Sequence, residues 1–201
     1  MDSLKERIIS KSLELFTNVG VKGVTMDMIS EELRMSKRTL YEHFPGKEEL
    51  IKQTFSESLS SSITELENRI KNYQSIIQQK FMLLENLQNL FFIKKNKTSF
   101  QLEKFYPEIY KEILNIQKQC IKTQLRNNIT LGIEEGVYRS KINKKLVMEY
   151  FYLVEQIIMN ENISSNPALD KNSKIYFIGL LIRSIATKKG IKELEKIIKI
   201  N

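Results

Sequence analysis

The stretch SKRTLYEHFPGKEEL, Ser36 to Leu50, crowds basic, hydroxyl and aromatic side chains around Leu40. These residue types suit one task. An arginine guanidinium can fork onto a guanine edge, and a threonine can meet a donor or a thymine methyl. Tyrosine and lysine can reach phosphates. At about 100° per residue on a helix, Leu40 and Phe44 fall on one side and Arg38 and Glu42 point directly away. A short helix anchored by two apolar residues would thus offer Lys37, Arg38, Thr39, Tyr41 and His43 outward. Other chemistry is poorly supplied. His43 is the only histidine and Cys120 the only cysteine. Neither has the company that a metal site or an internal disulfide requires, so neither a metal nor a cofactor is expected. Burial as a small apolar residue suits Cys120 better than a nucleophile's role. Phosphate-binding glycine loops, Gly-x-Ser-x-Gly and His-Glu-x-x-His are all missing, which argues against an enzyme.

The elements that must position this stretch read as helices throughout, with no period-2 strand run, so the fold class is all-α. The first helix spans about 3–18, with apolar residues at Leu4, Ile8, Leu15 and Val19, and Gly20 supplies its left-handed cap. Thr25 caps a second helix carrying Ile29 and Leu33. Ser36 caps a third over about 37–43, which Pro45-Gly46 stops. Two helices joined by so short a turn form a helix-turn-helix, whose second helix can enter a DNA major groove. Lys47-Glu48-Glu49 opens a long fourth helix, and a fifth follows Tyr73. Lys94–Lys97 reads as a polar loop. Pro107 opens a helix to about Leu131, ended by Gly132 and Gly136. Helices over about 144–160 and 171–187 flank an Asn/Ser/Pro-rich linker, and a basic amphipathic segment closes the chain. About nine helices result, with a boundary near residue 47. Residues 1–46 form a helix-turn-helix domain and 47–201 a helical bundle.

Composition agrees with a folded protein: 41% of the 201 residues are hydrophobic and 28% charged. The formal charge is +8, but the first fifty residues hold eight basic and nine acidic side chains. Basicity therefore does not mark the helix-turn-helix as a nucleic-acid binder; the placement of individual side chains must do so. The charged N-terminus lacks the apolar core of a signal peptide, and no run approaches the roughly 20 apolar residues of a membrane span. A cytoplasmic protein without membrane contact is expected.

The run from Gly20 to Leu50 resembles the signature of the tetracycline-repressor-like (TetR) transcriptional regulators. Gly20, Thr25, Ile29, Leu33, Ser36, Lys37, Thr39, Leu40, Tyr41, His43, Phe44, Lys47, Glu48 and Leu50 all match. With the first helix, which ends at Gly20, the match covers about a quarter of the chain. The resemblance implies a homodimer with recognition helices in successive major grooves, and a C-terminal domain in which a small molecule triggers release of DNA. By position, Lys37, Arg38 and Thr39 would read bases, while Tyr41, His43, Lys47 and Thr25 would hold phosphates. Ser36 at the helix N-terminus joins this DNA-facing set. Two departures stand out. Arg34 occupies the turn position where glycine is common, and Pro45 stands where the family often has lysine.

The family's ligand pocket lies among the middle helices, where Phe81, Leu84, Phe91, Phe100, Phe105, Tyr106, Tyr110 and Cys120 are candidate linings for an apolar or amphipathic effector. The two late helices are apolar nearly all round, so more than one side must be covered. A four-helix dimer interface would do this, with Tyr150, Val154, Ile157, Ile158, Ile178, Leu181, Ile182 and Ile185 as its expected residues. The alternatives to a ligand-released repressor are a helical small-molecule or lipid-binding protein, and a regulator acting through protein contacts with an idle DNA face.

Overall fold

The computed structural model describes residues 3–90, 97–159 and 171–200. Among them lie ten helices and no strand. They are α1 (Leu4–Asn18), α2 (Met26–Glu32), α3 (Lys37–His43), α4 (Lys47–Lys71) and α5 (Ile76–Leu90), then α6 (Lys97–Phe105), α7 (Pro107–Glu134), α8 (Lys144–Met159), α9 (Lys171–Ile185) and α10 (Lys188–Ile200). The chain divides into two compact units. The first holds α1–α3, α4 up to Ser62, α6, and α7 up to Gln117; the second holds the remainder of α4 and α7 with α5 and α8–α10.

Local chemistry sets the boundaries in the first unit. Ser3 and Glu6 form a reciprocal capping box: the Glu6 amide donates to Ser3 Oγ at 3.2 Å, and the Ser3 amide to Glu6 Oε2 at 2.6 Å. That satisfies two of the amides a helix N-terminus leaves free. At the other end Gly20 takes φ 101°, where an L side chain is strained. The core gathers Ile8, Phe16, Ile29, Leu40, Phe44 and Ile51 with almost no exposure, and the Phe16 and Phe55 rings stack at 5.9 Å. α6 fastens the loop after α1. Gln101 Oε1 accepts from the Lys22 amide at 3.0 Å, and Lys97 Nζ donates to the Val19 carbonyl at 3.1 Å.

The second unit is built around Ile77, Ile121, Leu125, Phe151, Ile182 and Leu194. A buried polar chain crosses it: Tyr138 Oη donates to Asn128 Oδ1 at 3.0 Å, and Asn128 Nδ2 to the Ile76 carbonyl at 2.9 Å. The strand-like pairing of Tyr138 with Ala186 joins the end of α7 to the α9–α10 connection. The Arg139 amide donates to Ile185 and the Thr187 amide to Val137, both at 2.9 Å. The last helix packs on α5 and α9, burying Leu194 and Ile197. This is the capping arrangement that its amphipathic sequence allows.

Three expectations need correcting. α7 continues through Gly132 to Glu134 instead of stopping at Leu131. Gly132 is there because a Cβ would collide with the Tyr138 ring. Gly136, at φ 70°, is the residue that takes the left-handed turn. Lys97, expected in a loop, opens α6. That helix buries Thr98, Ser99 and Leu102, so it carries too few apolar residues to produce a periodic stripe. The helix count is accordingly ten among the described residues, not nine. The linker expected between α8 and α9 lies outside the described residues, apart from its last two positions.

Candidate nucleic-acid interface

α2 ends in a Schellman motif. The Arg34 amide donates to the Glu31 carbonyl at 3.0 Å and the Met35 amide to the Ser30 carbonyl at 2.9 Å. This closure requires a left-handed residue just past the helix end, and Arg34 adopts it with φ 51°. Arginine holds this conformation, which glycine would adopt freely, at a steric cost of about 1–2 kcal/mol. Ser36 then starts α3. Its Oγ accepts from the Thr39 amide at 3.0 Å and shares a 2.8 Å hydrogen bond with Thr39 Oγ1. Thr25 does the same for α2, accepting from the Met28 amide at 3.2 Å.

Leu40 and Phe44 are both fully buried, so the seam expected from helical spacing holds α3 to the body. Lys37, Arg38, Tyr41 and His43 stand exposed on its outer side; Thr39 is half-buried with its hydroxyl engaged by Ser36. The two outer cations are each steadied by a carboxylate. Lys37 Nζ lies 2.7 Å from Asp27 Oδ2, and Arg38 Nε 3.1 Å from Glu42 Oε1. The Asp27 hydrogen bond raises the Lys37 pKa above its ordinary value, so the ammonium stays charged. Exposed pairs of this kind are worth only about 0–1 kcal/mol. A phosphate or base edge can therefore replace either carboxylate at small cost.

Lys47 is placed differently. It is half-buried, donates to the Lys22 carbonyl at 3.3 Å and lies over the Tyr106 ring at 5.9 Å. Burial pushes its pKa below the usual lysine range. Its ammonium is committed in part to the α1–α2 loop, a contact that no local pattern of residues announces.

Residues 8–54, which contain this whole constellation, match the family model described as bacterial regulatory proteins, tetR family. Residues 8–54 are thus similar to the N-terminal domain of the tetR family. Among curated relatives, the negative transcriptional regulator IcaR of the biofilm operon icaADBC in Staphylococcus aureus (strain Newman) is 22% identical over 62% of this chain and 54% of its own length. The chain thus spans about half the length of the first curated relatives it matches. The HTH-type transcriptional regulator YhgD of Bacillus subtilis (strain 168) is 23% identical over 67% of this chain and 72% of its own. A crystal structure of a transcriptional regulator from Cytophaga hutchinsonii shares the fold, with a TM-score of 0.72 at 19% identity, covering 92% of this chain and 100% of that one. Among the described residues, no helix is long and apolar enough to cross a membrane.

The candidate effector linings are divided between the two units. Phe81 is buried and Cys120 half-buried in the second unit, while Tyr106 and Tyr110 are half-buried in the first. Phe100 and Phe105 are corrected: both stand exposed on α6, with Lys104 over the two rings at 5.8 and 5.5 Å. α6 turns Leu102 inward, and that rotation carries Phe100 out. Phe91 and the Leu84 side chain lie outside the described residues. One buried cation escaped the sequence reading altogether: Lys80, fully enclosed, with its ammonium 5.5 Å from the Phe151 ring centre.

The late helices also need a correction. Ile178, Leu181, Ile182 and Ile185 are buried inside the protomer, so they are not available to a second copy. α9 instead exposes Tyr176, Phe177 and Leu180. α8 exposes Leu146, Tyr150, Leu153 and Ile157. Val154 is half-buried, and the Ile158 side chain lies outside the described residues.

Burial and the Glu67 carboxylate push the Cys120 thiol up to about 11. Between the unfolded thiol's value of about 8.5 and that figure, the unfolded chain loses a proton the folded chain keeps, so stability falls as pH rises through this window. Near pH 8, iodoacetamide should alkylate native Cys120 about 100-fold more slowly than the denatured chain, because only the thiolate reacts. Equal rates, read by mass spectrometry, would remove Cys120 from the interior.

Proposed function

We propose that this protein is a TetR-family repressor that binds a palindromic operator as a homodimer and is released by a small molecule. Residues 1–46 are its DNA-reading part, and 47–201 carry the dimer contacts and the effector site. One observation carries this reading: α3, pinned by Leu40 and Phe44, holds Lys37, Arg38 and Tyr41 outward with its cations only loosely paired. Arg38 reads a base, with side-chain exposure of 89%, and Lys37 and Thr39 border it. Tyr41, His43, Lys47 and Thr25 contact phosphates, and Ser36 and Thr25 aim their helix N-termini at the backbone. Repression is supported by the similarity to IcaR, a negative transcriptional regulator. The protein acts in the cytoplasm, where its operator is.

The dimer forms through the exposed apolar rows of α8 and α9. Leu146, Tyr150, Leu153 and Ile157 recur at intervals of four, three and four, the spacing of a helix–helix seam. Effector binding favours a dimer whose recognition helices no longer match successive grooves, and DNA affinity falls by population shift.

The test is fluorescence anisotropy on the duplex upstream of the protein's own gene, against scrambled competitor and across a salt series. Arg38→Ala should lose about 1–3 kcal/mol of specific binding and relax sequence preference, while its binding to scrambled duplex changes little. Wild-type binding that is equally tight to scrambled duplex would overturn the repressor reading.

A further inference from the structure

We propose that Gln117 and Thr54 form the polar end of the effector site, and that the effector offers them an uncharged group that both donates and accepts hydrogen bonds, as a carboxamide or alcohol does. This rests on the ligand-released reading above and gives that ligand a chemical class. Gln117 is only 5% exposed and Thr54 fully buried, yet Gln117 Oε1 and Thr54 Oγ1 have no hydrogen-bond partner. Gln53, the residue beside Thr54, spends its amide nitrogen on Glu49 and leaves its buried Oε1 unpaired as well.

Buried polar groups are almost always paired, because leaving one without a partner costs its full desolvation. A buried serine or threonine hydroxyl on a helix can turn back to its own helix carbonyl. On that ground neither Ser12 on α1, also unpaired, nor Thr54 would carry an argument alone, and Gln117 carries it. A glutamine carboxamide has no such local exit. Gln117 follows Ile113 by one helical turn on the buried stripe of α7, where an apolar residue would be the stable choice.

The neighbouring helix supplies the second group. Lys52 of α4 and Glu112 of α7 are joined by a 2.8 Å ion pair. Thr54 follows Lys52 by two residues and Gln117 follows Glu112 by five, so each lies within two turns of that bridge. Thr54 shares the buried face of α4 with Ile51 and Phe55. A ligand with an apolar body and one polar end suits such surroundings. The charge argument selects a neutral end. The groups left unpaired here are a hydroxyl and carboxamide oxygens, and Lys52 and Glu112 already neutralise one another. An ion would be desolvated without a counter-charge.

Thermal melting of the full chain tests this with benzamide and benzyl alcohol as probes, and toluene and benzoate as apolar and charged counterparts. Gln117→Leu should melt at or above wild type, while Ile113→Ala, a core reference, melts clearly lower. Benzamide or benzyl alcohol should raise the wild-type midpoint by a few degrees and leave Gln117→Leu unmoved, with toluene showing the reverse preference. A Gln117→Leu midpoint as low as that of Ile113→Ala would overturn the proposal, because the amide would then be serving the fold. So would a wild type shifted by neither hydrogen-bonding probe, or equal shifts in wild type and variant. Operator binding measured on the same preparations separates the two ideas: its loss strikes the repressor reading, whereas the melting shifts speak to the site alone.

Discussion

Gly132→Ala should lower the stability of this protein by about 2–4 kcal/mol, although alanine is the better helix former. The added methyl meets the Tyr138 ring, which is fully buried and donates its hydroxyl to Asn128. Overpacking costs about 1–3 kcal/mol. Moving the ring also breaks a buried hydrogen-bond chain, adding about 1–3 kcal/mol for the groups left unpaired. The gain in helix propensity returns only about 1 kcal/mol. The midpoint of thermal unfolding should fall by roughly 5–15 °C for a chain of this size. Gly46→Ala is the control, since a Cβ there meets nothing within 4 Å. If Gly132→Ala melted with wild type, the close approach of α7 to Tyr138 would be wrong.

The second large effect concerns assembly. The double variant Leu153→Glu with Leu180→Glu should run as a monomer in sedimentation velocity, and wild type should run as the proposed dimer. Both leucines are exposed in the protomer, at 59% and 43%, so the changes leave its core intact and the circular dichroism of the helices unaltered. In the proposed interface they would bury two unpaired carboxylates per protomer, which an apolar seam does not tolerate. Operator affinity should drop at least about 100-fold, because two linked recognition helices gain by effective concentration what one cannot. The matching pair Leu181→Glu with Ile182→Glu should instead unfold the protein, since those positions are internal. A double variant that stayed dimeric would move the interface elsewhere.

The contrast between these pairs explains what was legible beforehand. The first three helices could be read almost residue by residue because their ends are written in local chemistry: Thr25 and Ser36 as caps, Gly20 as a left-handed stop, Pro45 as a breaker. Leu40 and Phe44 announced the buried side of α3 because every other residue there is polar. α9 offered no such contrast. With apolar residues nearly all round, Leu180 and Leu181 look alike in sequence, and only packing decides which of them faces out. α6 escaped because small polar residues fill its buried positions. Gly132 misled because a glycine needed for close approach looks the same as one that ends a helix. The conformation of Arg34 was hidden for the opposite reason: the backbone kept a shape that its side chain disfavours.

The hold of α6 on the loop after α1 bears on how this protein can be recombined. Lys97 and Gln101 reach back to Val19 and Lys22, so the turn that leads into the helix-turn-helix takes two of its fastenings from about eighty residues downstream. A chimaera that grafted only residues 1–46 onto a foreign bundle would carry the recognition helix and lose those fastenings. To exchange operator preference while keeping the recipient's own response, the smaller cut is the better one: the outward residues of α3 alone, transplanted onto a scaffold whose α6 still grips its first loop.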